Sequence, residues 1–446
     1  MAAMYRTQGT ATDRKKFTVS MWVKIAKTGS EKTSYQFMDF WGDGSNRISL
    51  YHNNTDQLQI YHEKDNSGVN EVAWKSDAII RDKTAWYHFV WRADSTQSTA
   101  ADRFRVYING ELITLNNTTY PSQNFEFAQG TSSYVQYIGR YGGNTNNNFE
   151  GVMSHLNFCD GYSYGPDSFG STDATTGIWK INTSPSVTYG NNGFFLKMED
   201  SSNLDLDSSP NAHTFTTGGG TVTATQDCPS NNFTTLNPLN NYFPEATFSN
   251  GNLKITTKES APVMGTIGAS SGKYYWEVKV NALASTYGTI GIVGTQATAS
   301  TQFITSNANE YMYYSQGSLN YNGGSVSSGY ATYTANDIIG VAMDLDNNRL
   351  FFSKNGTWQN SADPTTSTGA YTITAPASTS LGAYFPAIGY WDDNDAANGT
   401  YEANFGNGFF GTTAISSEGT NASGIGKFEY DVPTGYTALS TKGLNE

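Results

Sequence analysis

The stretch Phe17-Thr-Val-Ser-Met-Trp-Val-Lys24 decides the fold class of this chain. Its apolar residues Phe17, Val19, Met21 and Val23 stand at every second position, with mostly polar residues between them. Because successive side chains of a β-strand point to opposite faces, this spacing predicts a half-buried strand.

The second half of the chain carries the same signal in Gly272-Lys-Tyr-Tyr-Trp-Glu-Val-Lys-Val280, where Glu277 and Lys279 point away from the apolar face. Aromatic residues, which favour strands, make up 14% of the chain, and its 45 glycines favour turns. No segment before residue 240 has a helical apolar period with caps at both ends. The sequence therefore predicts an all-β protein with two antiparallel β-sandwich (jelly-roll) domains in tandem.

Shorter strands are predicted between turn signals. The Asn109-Gly110 pair between two apolar runs is the strongest hairpin signal of the first half. Other candidate strands of this half are residues 39–41, 48–51, 57–61, 86–92 and 103–108.

The length of 446 residues exceeds one ordinary sandwich, which reaches about 250 residues. The stretch Asn237-Pro-Leu-Asn-Asn241 favours a boundary, because proline disfavours helix in the residue before it. The predicted domains are residues 1–240, in which residues 161–240 form a loop-rich wrapping segment, and residues 241–446.

Charge and apolar patterning exclude two classes of partner. The chain has 26 Lys and Arg against 39 Asp and Glu, a net charge of −13, which disfavours nucleic acid. No apolar stretch approaches the roughly 20 residues that a bilayer span needs, so no membrane insertion is expected. Cys159 and Cys228 are too few for a disulfide framework, and whether they pair is left open.

Five motifs follow one another in the second half: the stretch 272–280, Asp337-Ile-Ile-Gly-Val-Ala-Met-Asp-Leu-Asp346, Leu350-Phe-Phe-Ser-Lys-Asn-Gly-Thr-Trp358, Tyr384-Phe-Pro-Ala-Ile-Gly389 and Asn404-Phe-Gly406. In this order and spacing they resemble a SPRY domain. The resemblance implies a bent antiparallel sandwich that binds proteins or other ligands through its loops and has no catalytic activity.

The first half resembles a laminin-G-like, concanavalin-type jelly roll. The residues that carry this resemblance are the stretch 17–24, Trp86-Tyr-His-Phe-Val90, Val106-Tyr-Ile-Asn-Gly-Glu-Leu112, Tyr137-Ile-Gly139 and Phe149-Glu-Gly-Val-Met-Ser-His-Leu156.

The whole series is similar to virion structural proteins of tailed bacteriophages, particularly those of marine bacteria. The similarity is carried by the segments Asp173-Ala-Thr-Thr-Gly-Ile-Trp179, Tyr189-Gly-Asn-Asn-Gly-Phe-Phe-Leu196, Asp207-Ser-Ser209, Asn231-Asn-Phe-Thr-Thr-Leu-Asn-Pro-Leu239 and Phe428-Glu-Tyr-Asp-Val-Pro-Thr-Gly-Tyr-Thr-Ala-Leu439. It implies a place on the virion surface, as a capsid decoration or knob or as a distal tail-fibre subunit. The implied partners are other capsid or tail proteins, further copies of the chain in a homo-oligomer, and host-surface glycans.

No catalytic residues are expected. A jelly-roll glycosidase needs two carboxylates across a cleft, and the Glu-x-Asp-x-x-Glu strand of retaining glucanases is absent. The closest carboxylate clusters, Glu199 with Asp200 and Asp205 with Asp207, are interpreted as solvated loop residues. The five histidines and two cysteines lack the spacing of a transition-metal site.

Aromatic residues at the sandwich rim are the candidate glycan contacts, because a sugar ring stacks on Tyr or Trp while its hydroxyls take hydrogen bonds from polar neighbours. The candidates are Tyr311, Tyr313, Tyr314, Tyr390, Trp391, Asp392 and Asp393. No cofactor is expected, although Asp392, Asp393 and Asp395 form an oxygen-rich loop that is a candidate calcium site.

The leading hypothesis is a non-enzymatic virion surface protein that adheres to host or environmental glycans. Two alternatives remain. One is a phage-borne polysaccharide depolymerase. The other is a bacterial cell-surface adhesin, for which a secretion signal is expected and the start Met1-Ala-Ala-Met-Tyr-Arg6 supplies no apolar region.

Overall fold

A computed structural model describes residues 3–31, 34–63, 72–116, 120–144, 147–240, 246–257, 262–296, 307–322, 324–391 and 398–446. It confirms the all-β prediction, since strands dominate the described residues and helices occur only as single 3₁₀ turns. These turns are Gly29–Glu31, Ala100–Asp102, Pro166–Ser168, Pro238–Asn240, Gln359–Ser361, Pro376–Ser378 and Gly443–Asn445.

The chain divides into two compact units, Met1–Ala224 and Thr225–Glu446. The strands of the first unit are β1 (Ala3–Thr7), β2 (Lys16–Ile25), β3 (Ser34–Asp43), β4 (Asn46–Asn53), β5 (Gln57–Glu63), β6 (Val72–Ile79), β7 (Tyr87–Asp94), β8 (Phe104–Ile108), β9 (Glu111–Leu112), β10 (Val135–Ile138), β11 (Gly151–Asp160), β12 (Gly170–Thr172), β13 (Trp179–Ile181), β14 (Phe194–Leu196) and β15 (Thr216–Gly218).

Two antiparallel sheets form the sandwich of the first unit. Sheet 1 has the strand order β15-β1-β10-β3-β4-β5-β6, and sheet 2 has the order β14-β11-β2-β7-β8-β9. The core between them contains the alternating residues Phe17, Val19, Met21 and Val23, each fully buried. The period of two in the stretch 17–24 therefore identifies the core face correctly.

The same strand corrects one expectation, because β2 is buried on both faces rather than half-buried. Its outward-facing side is covered by the segment that follows β11. The hydroxyl of Thr18 donates to the carbonyl of Tyr162 at 3.0 Å and accepts from the amide of Tyr164 at 2.8 Å. A second apolar cluster, which includes Phe169 and Phe195, packs on this side.

The strands of the second unit are β16 (Thr247–Ser249), β17 (Lys254–Thr257), β18 (Val263–Met264), β19 (Lys273–Leu283), β20 (Gly288–Val293), β21 (Glu310–Tyr314), β22 (Ser318–Tyr321), β23 (Gly324–Ser328), β24 (Ile338–Asp344), β25 (Arg349–Lys354), β26 (Thr357–Trp358), β27 (Tyr371–Thr372), β28 (Phe385–Tyr390), β29 (Gly399–Asn404), β30 (Phe409–Phe410), β31 (Thr413–Ala414) and β32 (Thr437–Ala438).

These strands form a second sandwich. Sheet 3 has the order β16-β17-β29-β19-β24-β25-β26, with β27 on β25 and β32 parallel to β19, and sheet 4 has the order β18-β28-β20-β21-β22-β23. Trp276, Val278 and Val280 of β19 are fully buried in the core between the sheets. The C-terminal segment packs on the other face of β19, where Phe428 contacts Tyr275 with ring centroids 5.0 Å apart.

The division between the units falls at residues 224 and 225, before the boundary at residue 240 that the proline-containing stretch favours. Residues 225–240 pack with the second unit because their apolar side chains enter its core. Phe233 bridges to Ser440, and Leu236, fully buried, bridges to Gly265.

Cys159 is a buried free thiol and Cys228 is a partly exposed one, so the two are not disulfide-bonded. Among the described residues, no helix is long and apolar enough to cross a membrane.

Candidate functional site

The tyrosines chosen from the sequence are core residues. Tyr311, Tyr313, Tyr314 and Tyr390 are at most 3% exposed, which corrects the prediction that they contact a ligand at the sandwich rim. Their hydroxyls serve the fold instead: that of Tyr390 lies 2.6 Å from the Ser285 hydroxyl. Sequence reasoning could not separate these residues from surface aromatics, because both faces of β21 are buried.

Trp391 lies at the surface, with 38% of its area exposed, and packs edge-on against Tyr287 with ring centroids 4.9 Å apart. The acidic partners predicted beside it, Asp392, Asp393 and Asp395, lie outside the described residues. The candidate calcium loop therefore stays a prediction.

The carboxylates considered for catalysis occupy separate structural positions. Glu199 lies 3.3 Å from His155, and Asp200 accepts hydrogen bonds from the backbone and hydroxyl of Ser202. Asp207 is buried and accepts the amide protons of Phe195, Ser209 and His213. The described residues contain no cluster of three or more His, Cys, Asp or Glu that could hold a metal ion.

A buried serine and histidine pair in sheet 2 is unsuited to nucleophilic catalysis. The indole N–H of Trp179 donates to Nδ1 of His88 at 3.0 Å, and Nε2 of His88 lies 2.8 Å from the Ser20 hydroxyl. Since Nδ1 accepts a hydrogen bond from Trp179, the neutral ring carries its own proton on Nε2 and donates to Ser20 rather than accepting from it. Burial also lowers the pKa of His88 to about 3.

The outward face of sheet 1 carries a different set of side chains, which we call the aromatic face. It consists of Tyr5, Gln36, Asp39, Trp41, Arg47, Ser49, Tyr51, Gln59, Tyr61, Glu63, Lys75, Tyr137, Arg140 and Tyr141. All six of its aromatic residues are half-buried, so one side of each ring packs on the protein and part of each remains accessible.

One row of this face crosses five strands in direct register. Tyr5 of β1 opposes Tyr137 of β10, which opposes Asp39 of β3; Ser49 of β4 and Tyr61 of β5 continue the row. The rings of Tyr5 and Tyr137 have centroids 5.7 Å apart. The row points outward because the neighbouring residues, Ile48 and Ile60 among them, point into the core.

Arg47 lies at the centre of an aromatic cluster. Its guanidinium carbon is 5.6 Å from the ring centroid of Trp41, 4.8 Å from that of Tyr61 and 4.9 Å from that of Tyr141. Oε2 of Glu63 lies 3.8 Å from Nη2 of Arg47. The same oxygen accepts a hydrogen bond from the Tyr61 hydroxyl at 3.0 Å. Stacking on rings and a distant carboxylate fix the side chain while leaving 18% of it exposed.

The polar residues Asp39 and Ser49 lie between the rings and are hydrogen-bonded to each other. Asp39 is fully buried and accepts from the Ser49 hydroxyl at 2.8 Å and from the Gly142 amide at 2.7 Å. Burial raises its pKa to about 6, while these two hydrogen bonds and the charge of Arg47 act in the opposite direction. Burial likewise raises the pKa of Tyr51 to about 12. Asp39 is therefore held in place by its hydrogen bonds and is inaccessible to a substrate.

Sequence reasoning identified these strands but not their outer face. The predicted strands 39–41, 48–51 and 57–61 fall within β3, β4 and β5. The signal was the alternation itself, since Arg47, Ser49 and Tyr51 interleave with Ile48 and Leu50. Tyrosine and tryptophan at outward positions of adjacent strands form a surface only when the strands pair, which the sequence does not specify.

Comparison with known families places all residues of the aromatic face in one domain. Residues 4–162 match the laminin-G-type model described as Concanavalin A-like lectin/glucanases superfamily, and residues 273–402 match the SPRY domain model. The chain therefore joins a concanavalin-like domain to a SPRY domain, as the motifs predicted. No curated protein matches the chain.

Solved structures with similar folds include the SPRY domain of human HERC1, at 15% identity and a TM-score of 0.28, covering 35% of this chain and 91% of that one. A heptameric SAP-like pentraxin from Limulus polyphemus is 16% identical with a TM-score of 0.27, covering 36% of this chain and 70% of that one. The CBM40 of a Ruminococcus gnavus sialidase, bound to α2,3-sialyllactose, is 17% identical with a TM-score of 0.24, covering 34% and 87%.

Proposed function

We propose that this protein is a non-enzymatic carbohydrate-binding protein and that the aromatic face of sheet 1 is its glycan-binding surface. The single observation that carries this proposal is the set of six half-buried Tyr and Trp rings interleaved with Gln, Ser, Arg and Glu on one sheet. Aromatic rings stack on the apolar faces of sugars, and polar neighbours bond their hydroxyls. The match of residues 4–162 to a lectin and glucanase superfamily supports it.

Binding without catalysis is favoured by the carboxylates of this face. Hydrolysis needs an acid and a second carboxylate flanking an accessible sugar bond. Asp39 is fully buried, and Glu63 is engaged by Arg47 and Tyr61. The phage-borne depolymerase is therefore the weaker proposal, and release of reducing ends from a bound polysaccharide is the result that would favour it.

The place of the protein on a tailed-phage virion is also a proposal, supported by the similarity of the segments 173–179, 189–196 and 428–439 to such proteins. It includes attachment to other capsid or tail proteins and self-association. Repeated copies on a symmetric particle would strengthen weak sugar contacts through multivalency. Electron microscopy of intact particles tests this: density for the chain on the capsid or tail supports it, and absence of the chain from particles contradicts it.

A glycan array followed by calorimetric titration tests the binding surface. We expect at least one class of glycan to bind, with an affinity that falls about tenfold or more in Trp41→Ala and in Tyr61→Ala. Tyr162→Ala is the matched control, since this half-buried tyrosine packs on Tyr164 against the other sheet. A uniformly negative array, or equal losses in all three variants, contradicts the proposal.

Trp391→Ala separates the aromatic face from the loop predicted from the sequence. If glycan affinity falls only in this variant, the ligand binds at the rim of the second unit.

A calcium requirement at Asp392, Asp393 and Asp395 is tested in the same assay by adding a chelator, which would lower the affinity or the melting temperature only if the ion is bound.

A further inference from the structure

The aromatic face has two ring platforms, which are connected by residues 140–142. The first is Tyr5 with Tyr137, and the second is the cluster around Arg47 that includes Tyr61. Tyr137 and Tyr61 lie in the same row but three strand spacings apart, about 14 Å. Between them, Asp39 and Ser49 are buried, and Asp39 accepts a hydrogen bond from the Gly142 amide. A ligand that contacts the rings of both Tyr137 and Tyr61 must span this distance.

Each platform carries an arginine. The guanidinium carbon of Arg140 lies 5.3 Å from the ring centroid of Tyr137, as Arg47 lies over the rings of the second platform. Arg140 donates from Nε to the carbonyl of Tyr141 at 3.3 Å, and within the described part of the chain it forms no ion pair with a carboxylate. Lys75, exposed on β6 opposite Gln59, adds a third positive charge to the same face.

The negative charge of the face is small by comparison. Asp39 is fully buried and out of reach of a ligand, and Glu63 lies against Arg47. Three cations therefore stand with two carboxylates on this face, on a chain whose net charge is −13. Selection for solubility alone would not place arginines on both aromatic platforms of an acidic protein, whereas an anionic ligand would need them there.

We propose that the aromatic face binds an extended anionic polysaccharide across the strands of sheet 1. Sugar rings would stack on the two platforms, and carboxylate or sulfate groups of the polymer would bond Arg140 and Arg47, which present planar N–H donors. This inference rests on the proposed glycan-binding function and adds to it the charge and the minimum length of the ligand.

Titration of the whole chain with three polymers tests whether the preferred ligand is anionic. The probes are polygalacturonate, dextran sulfate and neutral dextran, each at low and at physiological salt. We expect at least one of the two anionic polymers to bind about tenfold more tightly than dextran, with an affinity that falls as salt increases because exposed charges are screened. The stronger of the two identifies the anionic group as carboxylate or sulfate.

The variant Arg140→Gln tests the contribution of Arg140 to the binding of the anionic polymer. Its affinity for the anionic polymer should fall about fivefold or more and should depend less on salt, and its loss of affinity for dextran should be smaller. Lys442→Gln, at an exposed lysine of the second unit, is the charge-matched control. Circular dichroism melting shows whether each variant is folded, and Arg140→Lys, which keeps the charge, should recover part of the binding.

Length is tested with galacturonate oligomers. Because both platforms must be occupied, the affinity should rise steeply between a disaccharide and an oligomer long enough to span about 14 Å, and little beyond. Binding of neutral and anionic polymers with equal affinity, or an unchanged Arg140→Gln variant, overturns this inference but leaves the proposed function intact. If no glycan binds, both fail.

Discussion

Glu277 is a fully buried acidic residue of the second unit. The alternation of apolar and polar residues in β19 predicts that Glu277 points outward into solvent, yet its side chain is fully buried. It accepts hydrogen bonds from the amides of Glu429 and Tyr430 at 2.9 and 2.8 Å and from the Tyr275 hydroxyl at 3.1 Å. The carboxylate thus holds the C-terminal segment on sheet 3.

Burial raises the pKa of Glu277 to about 7 from its ordinary value of 4.5, although the hydrogen bonds from residues 429 and 430 lower it in part. Between these values the folded protein binds more protons than the unfolded chain, so the contribution of this residue to stability falls as pH rises from 4.5 to 7. The limiting slope is about 1.4 kcal/mol per pH unit.

Replacing Glu277 with Gln should therefore flatten the pH dependence of stability. We expect the melting temperature of the native protein to fall more between pH 5 and pH 7.5 than that of Glu277→Gln. Glu418→Gln, at a carboxylate that is half exposed and pairs with Lys427, is the control and should follow the native curve. Identical pH profiles for the native protein and Glu277→Gln would contradict the prediction.

At the scale of elements, the hairpin β12–β13 excludes water from part of the outer face of sheet 2. Trp22, His88 and Trp179 form a stack in which the ring centroids are 4.9 and 5.9 Å apart and both interplanar angles are 18°. Trp179 comes from the hairpin and covers the histidine. The low pKa of His88, about 3, is a consequence of this cover, because its cause is burial.

Trp179→Ala should admit water to His88 and raise its pKa towards the ordinary value near 6.5. The pH titration of the histidine ring protons by NMR measures this shift. Trp358→Ala, in the second unit, should leave the His88 titration unchanged. A His88 pKa that stays below 4 in Trp179→Ala would show that the strands of sheet 2 alone bury the ring.

The pairing of β20 with β21 in sheet 4 depends on the absence of a side chain at one position. A Cβ atom on Gly291 would lie 1.9 Å from the carbonyl oxygen of Tyr311. Gly291→Ala should therefore lower the free energy of unfolding by about 1–3 kcal/mol or more, as strands are forced apart in a packed interior.

Urea denaturation compares this variant with Gly324→Ala on the edge strand β23, where an added Cβ has nothing within 4 Å. Gly324→Ala should change stability by no more than about 0.5 kcal/mol. Equal effects of the two substitutions would mean that sheet 4 can widen at Gly291 without loss.

For the molecule as a whole, the structure predicts where the chain can be cut. Residues 225–240 belong to the second unit: both the amide and the hydroxyl of Thr234 donate to the carbonyl of Leu439, and Leu236 is buried in the core. A fragment that begins at residue 241 loses these contacts.

We expect fragments 1–224 and 225–446 each to unfold in a single cooperative transition, and fragment 241–446 to melt at a lower temperature than 225–446. Differential scanning calorimetry of the three fragments measures this. Equal melting temperatures for the two C-terminal fragments would place the functional boundary at residue 240 after all.

The inward-facing half of each strand could be predicted from the sequence. Phe17, Val19, Trp276 and Val278 occupy the cores as their spacing indicates, because a period of two is a local property of the backbone. The candidate site could not be predicted in the same way. In the sequence, nothing local distinguishes Tyr313 from Tyr61. Only the packing of the folded chain makes Tyr313 a core residue and Tyr61 a surface residue.

By itself, then, the sequence determines an all-β chain of two sandwiches, the strands that build them and the residues that fill their cores. The tertiary structure alone decides which outer faces meet solvent, because the segments that cover them come from distant parts of the chain. Residues after β11 cover sheet 2, and the C-terminal segment covers sheet 3. The outer face of sheet 1 keeps its half-buried rings and its arginines, which is why the proposed binding surface lies there.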